Sequence, residues 1–251
     1  MKKIDPVAFR IGGLGIAWYG VLIALGVLCA LVFATRIAEK DKDLYKDCTI
    51  DFALFGVPLG IIGARIYYVV FEWGYYKNDL KKIFALREGG LAIYGGIITG
   101  IIVAYIFCKK KKISFWSFLD SLAPGVVLAQ SIGRWGNYIN GEAHGGPTSL
   151  PWAIEVEGIK VHPTFLYESL WNFAIFIFLY TYLSKNKKFR GQVFVAYIIL
   201  YGLGRFFIEA MRTDSLYIGS FRVSQLVSLA GIALGIILFF YLRKQEKLDK
   251  K

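Results

Sequence analysis

Seven stretches of the chain stay apolar long enough to be read as helices crossing a bilayer, a task that takes about 20 residues. They cover 11–35, 52–71, 89–108, 113–133, 169–184, 191–211 and 223–242. The first, third and seventh carry no charge. Arg65 interrupts the second, Asp120 the fourth, and Arg205 with Glu209 the sixth, while the fifth is short. The segment 134–168 is of another kind, rich in Gly and Asn. Within it Ile154, Val156, Ile159 and Val161 alternate about Glu157-Gly158, which predicts a short β-hairpin. A connection of this length is usually functional or disordered, and its aromatic and apolar content favours order. The expected architecture is all-α and polytopic, one integral membrane domain over 1–251. It has about seven transmembrane helices and a small outward-facing head between helices 4 and 5.

Composition supports that class. Of 251 residues, 56% are hydrophobic, more than a soluble domain of this size can hide. Lys and Arg number 30 against 18 Asp and Glu, a formal charge of +12. In a soluble protein this would raise nucleic acid as a partner. Here the basic residues cluster between apolar runs, as at Lys109–Lys112 and 185–190, so they read as topology signals and contacts to anionic lipid. With the N-terminus outside, the inner loops hold 17 Lys and Arg and the outer ones 11, which places the C-terminus in the cytoplasm although Lys2 and Lys3 pull the other way. The amino end does not read as a cleaved signal peptide. Three Cys make no disulfide framework, and Cys48 and Cys108 fall on the expected inner side. His144 and His162 have no Cys or carboxylate at metal-ligand spacing, so neither metal nor cofactor is expected. Gly96-xxx-Gly100 and Gly231-xxx-Gly235 read as helix-packing motifs.

Charges inside membrane spans are costly and mark function by default. Tyr201, Arg205, Glu209 and Arg212 are spaced by 4, 4 and 3, which puts them on one face of the sixth helix. The simpler reading is an i,i+4 ion pair that locks helix packing. Against it, Arg212 and Tyr201 add more donors than one carboxylate can use, which suits an anionic ligand. The second concentration is Gly133-Arg134-Trp135-Gly136-Asn137-Tyr138-Ile139-Asn140-Gly141-Glu142-Ala143-His144-Gly145. Its glycines, Gly133, Gly136 and Gly145 among them, predict a tight structural turn that approaches a ligand closely. Arg134 offers a two-pronged fork, and Asn137 and Asn140 add neutral hydrogen bonds. Trp18-Tyr19-Gly20 fits an interfacial aromatic belt as well as it fits function. Arg65 and Glu168 have no partner in sequence and are left to each other or to the ligand. The residues together describe a membrane-embedded pocket, opening to the outer leaflet, for a phospholipid headgroup or another anion.

The run from Gly133 to Gly145 resembles the signature of the bacterial prolipoprotein diacylglyceryl transferases. Further matches extend along nearly the whole chain: Trp18-Tyr19-Gly20, Gly63-Ala64-Arg65, Gly89-Gly90-Leu91 with Gly95-Gly96, His162-Pro163-Thr164 with Leu166-Tyr167-Glu168, and Tyr201-Gly202-x-x-Arg205-x-x-x-Glu209. The resemblance implies a seven-helix enzyme of the bacterial cytoplasmic (inner) membrane with its N-terminus outside. It implies transfer of the diacylglyceryl group of phosphatidylglycerol to the lipobox Cys thiol of a preprolipoprotein, with a thioether formed and glycerol phosphate released. Arg134 and Arg205 would then neutralise the departing phosphate, while Tyr19, Asn137, Asn140, Tyr201 and Glu209 orient the lipid.

The chain departs from the family pattern at Tyr94-Gly95-Gly96, where many members have His-Gly-Gly and that His is assigned as the base. Tyr, with a pKa of about 10, accepts protons poorly at neutral pH. The expectation is therefore that Tyr94 donates a hydrogen bond to the phosphate and that Glu142 is the alternative proton acceptor. The competing functions are a small transporter for an anionic solute and a non-catalytic lipid-binding protein. Transporters usually carry internal repeats, and the two halves of this chain share no spacing pattern. Nothing demands a partner subunit, so a monomer is expected.

Overall fold

The computed structural model describes residues 4–86 and 89–248, most of them helical. The long helices are α1 Trp18–Ala38, α2 Cys48–Phe71, α3 Ile93–Lys111, α4 Phe115–Asn140, α5 Thr164–Ile177, α6 Gln192–Glu209 and α7 Val223–Leu248. Five of them, α1, α2, α3, α6 and α7, are long and apolar enough to cross a membrane. The α5 helix runs on through a π-helical stretch, Phe178–Leu183, and a last turn, Ser184–Asn186. A short helix, Trp73–Tyr76, and a 3-10 helix, Leu80–Phe84, lie between α2 and α3, and there are three antiparallel hairpins among the described residues: β1 Val7–Ile11 with β2 Leu14–Ala17, β3 Ile154–Val156 with β4 Ile159–Val161, and β5 Tyr217–Ile218 with β6 Phe221–Arg222. The β3–β4 hairpin turns at Glu157-Gly158, where the alternation predicts it; both residues have positive φ, 50° and 82°, as a two-residue primed turn requires.

Three expected boundaries are corrected. The first helix begins at Trp18, because 11–17 belongs to the β1–β2 hairpin. Gly12 and Gly13, at φ +55° and +82°, form its turn. The α4 helix continues to Asn140, so Gly133 and Gly136 are helical and do not form the expected turn. The α5 helix starts at Thr164 and, with its π-helical continuation, is not short.

Contacts divide the chain into two compact units, Met1–Ile37 with Leu119–Lys251, and Ala38–Phe118. In the first, small residues bring α1 and α4 together backbone to backbone: a Cβ on Gly125 would lie 2.5 Å from the carbonyl oxygen of Ala30. Such contact suits helices in lipid, where no hydrophobic force drives association. Ala123, Val127 and Leu128 of α4 form the core with Ile175, Phe176, Leu179, Leu183 and Val193. Asp120, the charge that interrupts the fourth apolar stretch, is buried and caps α6. It accepts from the backbone N–H groups of Gly191 at 2.9 Å and Phe194 at 3.0 Å, and from Lys187 Nζ at 3.2 Å. Orphan donors at a helix start and an anion satisfy each other. Gly235 of the expected 231/235 motif packs on Ile199, where a Cβ would meet Cγ1 at 2.7 Å.

In the second unit α2 and α3 meet through Gly63 and Gly95; a Cβ on Gly95 would lie 2.5 Å from the Gly63 carbonyl oxygen. Gly100 of the expected 96/100 motif faces open space. Arg65 is buried and uses five N–H groups on backbone carbonyls. Nε donates to Ile83 at 2.9 Å, Nη1 to Gly89 at 2.7 Å and Gly90 at 2.9 Å, and Nη2 to Lys82 at 2.6 Å and Ala85 at 3.4 Å. It clasps the segment that leads into α3.

Candidate active site

Helical periodicity does the first part of the assembly. On α6 the i,i+4 spacing brings Arg205 Nη2 to 2.5 Å from Glu209 Oε2. Arg134 sits near the end of α4, and Glu168 in the second turn of α5. The Glu168 carboxylate, its side chain only 3% exposed, bridges two elements: Oε1 lies 2.5 Å from Arg134 Nη2 and Oε2 lies 3.0 Å from Arg205 Nη1. Tyr201, one turn before Arg205, lies within electrostatic reach of Arg134, Arg205 and Glu168. Two guanidiniums from different helices are thus held side by side by one carboxylate.

The network extends outward. Arg212 Nε is 3.9 Å from Glu209 Oε2, but its main partner is Asp214, which it grips with Nε at 2.9 Å and Nη2 at 2.8 Å. That fork holds the Asp214 carboxyl below the usual carboxylate range. Arg222 of β6 donates to the Glu209 carbonyl oxygen and, through Nε, to the Tyr217 hydroxyl at 3.0 Å. Taking charges out of water costs several kcal/mol per ion, and only close pairing compensates. Arg134, Arg205 and Arg212 each have such a pairing, and it is with anions, a place that another anion of matching shape can share.

Beyond α4 the signature residues gather round its end. Gly141, at φ +71°, terminates the helix in the left-handed conformation that glycine adopts without strain. Glu142 folds back, its N–H donating to the Asn137 carbonyl at 3.0 Å. Its Oε1 accepts from Asn137 Nδ2 at 3.1 Å and Asn140 Nδ2 at 3.2 Å. Gly136 is small because the Tyr19 ring lies against it; a Cβ there would meet Tyr19 Cδ2 at 2.3 Å. Gly145 is likewise a matter of close approach and not of a turn. It donates to the His162 carbonyl at 2.9 Å, and a Cβ would lie 2.7 Å from His162 Cβ.

All of these residues belong to one unit, in two groups: Arg134, Arg205 and Glu209 joined through Glu168 and flanked by Tyr201, and Asn137, Asn140 and Glu142 at the end of α4, with Tyr19 against Gly136. Tyr94 belongs to the other unit, in the first turn of α3, and is exposed. The option that Arg65 and Glu168 pair with each other is overturned, since Arg65 binds carbonyls and Glu168 binds Arg134 and Arg205. Glu168 is the residue that site reasoning from sequence missed at the centre; the signal was a carboxylate just inside an apolar helix with nothing nearby in sequence to pair with it. Among the described residues no group of three or more His, Cys, Asp or Glu could hold a metal ion.

A family model described as prolipoprotein diacylglyceryl transferase matches residues 6–241, an interval that includes every residue of this network. The chain belongs to the prolipoprotein diacylglyceryl transferase family. Curated relatives agree over nearly their full length. A phosphatidylglycerol–prolipoprotein diacylglyceryl transferase of Finegoldia magna is 53% identical over 249 residues, 99% of this chain and 100% of that one. One of Clostridioides difficile is 52% identical over 97% of this chain and 98% of its own. One of Clostridium botulinum strain Langeland is 49% identical, covering 97% and 99%.

Proposed function

We propose that this protein is a phosphatidylglycerol–prolipoprotein diacylglyceryl transferase. It moves the diacylglyceryl group of phosphatidylglycerol onto the lipobox Cys of a preprolipoprotein signal peptide. The sulfur forms a bond to the glycerol carbon that carries the phosphate. The C–O bond to phosphate breaks with its electron pair, glycerol phosphate leaves, and the thiol proton passes to a base. The observation that carries this reading is the Glu168 bridge, which holds Arg134 and Arg205 together at 2.5 and 3.0 Å in a buried site. Charge grows on the phosphate as the bond breaks, and pre-placed guanidiniums in a water-poor site stabilise that charge more than the ground state.

Arg134 and Arg205 act on the phosphate, with Tyr19, Tyr201, Asn137, Asn140 and Glu209 orienting lipid and guanidiniums. Glu142 is the proton acceptor: two amides occupy Oε1, and the residue is exposed, so an incoming thiol can reach Oε2. A free thiol near pKa 8.5 is only a few per cent thiolate at neutral pH, so a base is needed. Tyr94 donates a hydrogen bond to the phosphate. Gly133 and Gly136 serve helix packing and approach, and Gly145 the packing of the head.

The protein works as a monomer in the bacterial cytoplasmic membrane with seven spans. The α4 helix and the α5 helix with its π-helical continuation join the five that are long and apolar enough to cross a membrane on their own. The N-terminus and the 141–163 head are outside and the C-terminus is cytoplasmic, in keeping with the Lys and Arg distribution. The test is to give the purified protein phosphatidylglycerol and a lipobox peptide. Addition of one diacylglyceryl unit to the peptide, abolished by Cys→Ser in that peptide, supports transfer; unmodified peptide with lipid still bound supports a carrier or binding protein.

A further inference from the structure

One helical turn inward from the ion network lies a second polar layer, which shares Tyr201 with the site and adds Gln130, Asn172 and Tyr197, none of which the transfer mechanism uses. Gln130 precedes Arg134 by four residues on α4, and Asn172 follows Glu168 by four on α5. Tyr197 and Tyr201 stand one turn apart on α6. Gln130 Nε2 donates to the Tyr197 hydroxyl at 2.9 Å. Flanking contacts fix the level: Ser131 Oγ donates to the Ser169 carbonyl at 2.8 Å, and Trp171 Nε1 to the Leu200 carbonyl at 2.9 Å.

This layer is not satisfied. Asn172 is fully buried, 0% exposed, and neither Nδ2 nor Oδ1 has a hydrogen-bond partner; Gln130 Oε1 has none either. A carboxamide without partners inside a membrane span is costly and marks a place where something else bonds. An amide nitrogen carries two hydrogens and an amide oxygen two lone pairs. Tyr197 accepts from Gln130, but neither hydrogen of Asn172 Nδ2 meets an acceptor. The layer thus holds unmet amide hydrogens at Asn172, carries no charge, and is partly open along Gln130, Tyr197 and Tyr201.

We infer that Asn172, with Gln130 and Tyr201 completing the layer, is a subsite for the ester carbonyls of the phospholipid's diacylglycerol moiety. Ester carbonyls are pure acceptors and match the unmet, uncharged amide hydrogens of Asn172. One turn is about 5.4 Å of axial depth. With the phosphate at Arg134 and Arg205, the esters lie a few bonds further toward the membrane interior, at the level of Asn172. The inference rests on phosphatidylglycerol being the donor lipid.

The test compares diester phosphatidylglycerol with its 1,2-di-O-alkyl (diether) analogue of equal chain length. Wild-type protein is expected to show a KM about three- to tenfold lower for the diester, the range one neutral hydrogen bond supplies. In Asn172→Leu and Asn172→Ala that ratio falls to about one. Lipid-induced shifts of the unfolding midpoint provide the same comparison without turnover, so absent transfer would count against the proposed function and leave the subsite still tested. Equal KM values and equal midpoint shifts for the two lipids in the wild type overturn the subsite. So does an undiminished ratio in folded Asn172→Ala, which would leave the layer as helix-packing glue.

Discussion

Two arginines in apolar helices, the buried Arg65 and the partly buried Arg205, have opposite partners. Arg65 donates to five neutral backbone carbonyls between Lys82 and Gly90. Arg205 is held by two carboxylates, Glu168 and Glu209. Carbonyls fixed in a folded segment cannot leave without unfolding that segment, so Arg65 is a clasp. Carboxylates on side chains can shift and share, so Arg205 is fit to receive a phosphate. An intramembrane arginine is thus not a ligand site by virtue of its charge; the identity of what already occupies its fork decides.

That contrast can be broken at several strengths. Replacing both forks, Arg134→Gln with Arg205→Gln, should lower thioether yield by more than the roughly 10²- to 10³-fold expected for losing one oxyanion-type donor, as read by mass spectrometry of the peptide. Glu168→Gln leaves two partly buried guanidiniums short of an anion. It should cost about 3–5 kcal/mol of stability, seen as a lowered unfolding midpoint, with transfer reduced in the molecules that remain folded. If Glu168→Gln were as stable as wild type, the bridge would not hold the site. Arg65→Lys keeps the charge and loses the fork. Its effect should be on stability, about 1.5–3 kcal/mol for the loss of even one charge-assisted bond, and transfer per folded molecule should change less than twofold. A collapse of transfer in folded Arg65→Lys would erase the contrast.

The proton path comes next. Glu142→Gln should lose most activity and Tyr94→Phe about tenfold; full activity in Tyr94→Phe beside a dead Glu142→Gln would remove Tyr94 as a phosphate donor. The smallest effect concerns Asp214, whose folded pKa is depressed by Arg212. A depressed carboxylate contributes stability above its unfolded pKa of about 3.9 and loses it as pH falls through the lower folded value. Asp214→Asn should therefore flatten the acid limb of the stability curve slightly and change nothing at pH 7 to 8 in its slope.

What the sequence made legible follows from how local each signal is. The Arg205–Glu209 pair needs only helical spacing, and the β3–β4 turn needs only Glu157-Gly158 between alternating apolar residues. Glu168 was opaque because its partners lie 34 and 37 residues away, on two other helices. The stretch Gly133–Asn140 looked like a turn because Gly and Asn favour turns in water. Here the helix continues and Gly136 is instead the flat spot on which Tyr19 rests. The 11–17 stretch was read into the first span on hydropathy, although Gly12-Gly13 between apolar residues was the hairpin signal that outranked it.

The account stands or falls on whether the forks act on the departing phosphate or merely hold intact lipid. The direct measurement is kcat and KM for phosphatidylglycerol in Arg205→Gln at saturating lipobox peptide. Stabilisation of developing charge predicts a kcat lower by about 10²-fold or more with KM moved only a fewfold. A raised KM with kcat unchanged would contradict it, and would make the guanidinium pair a binding site only.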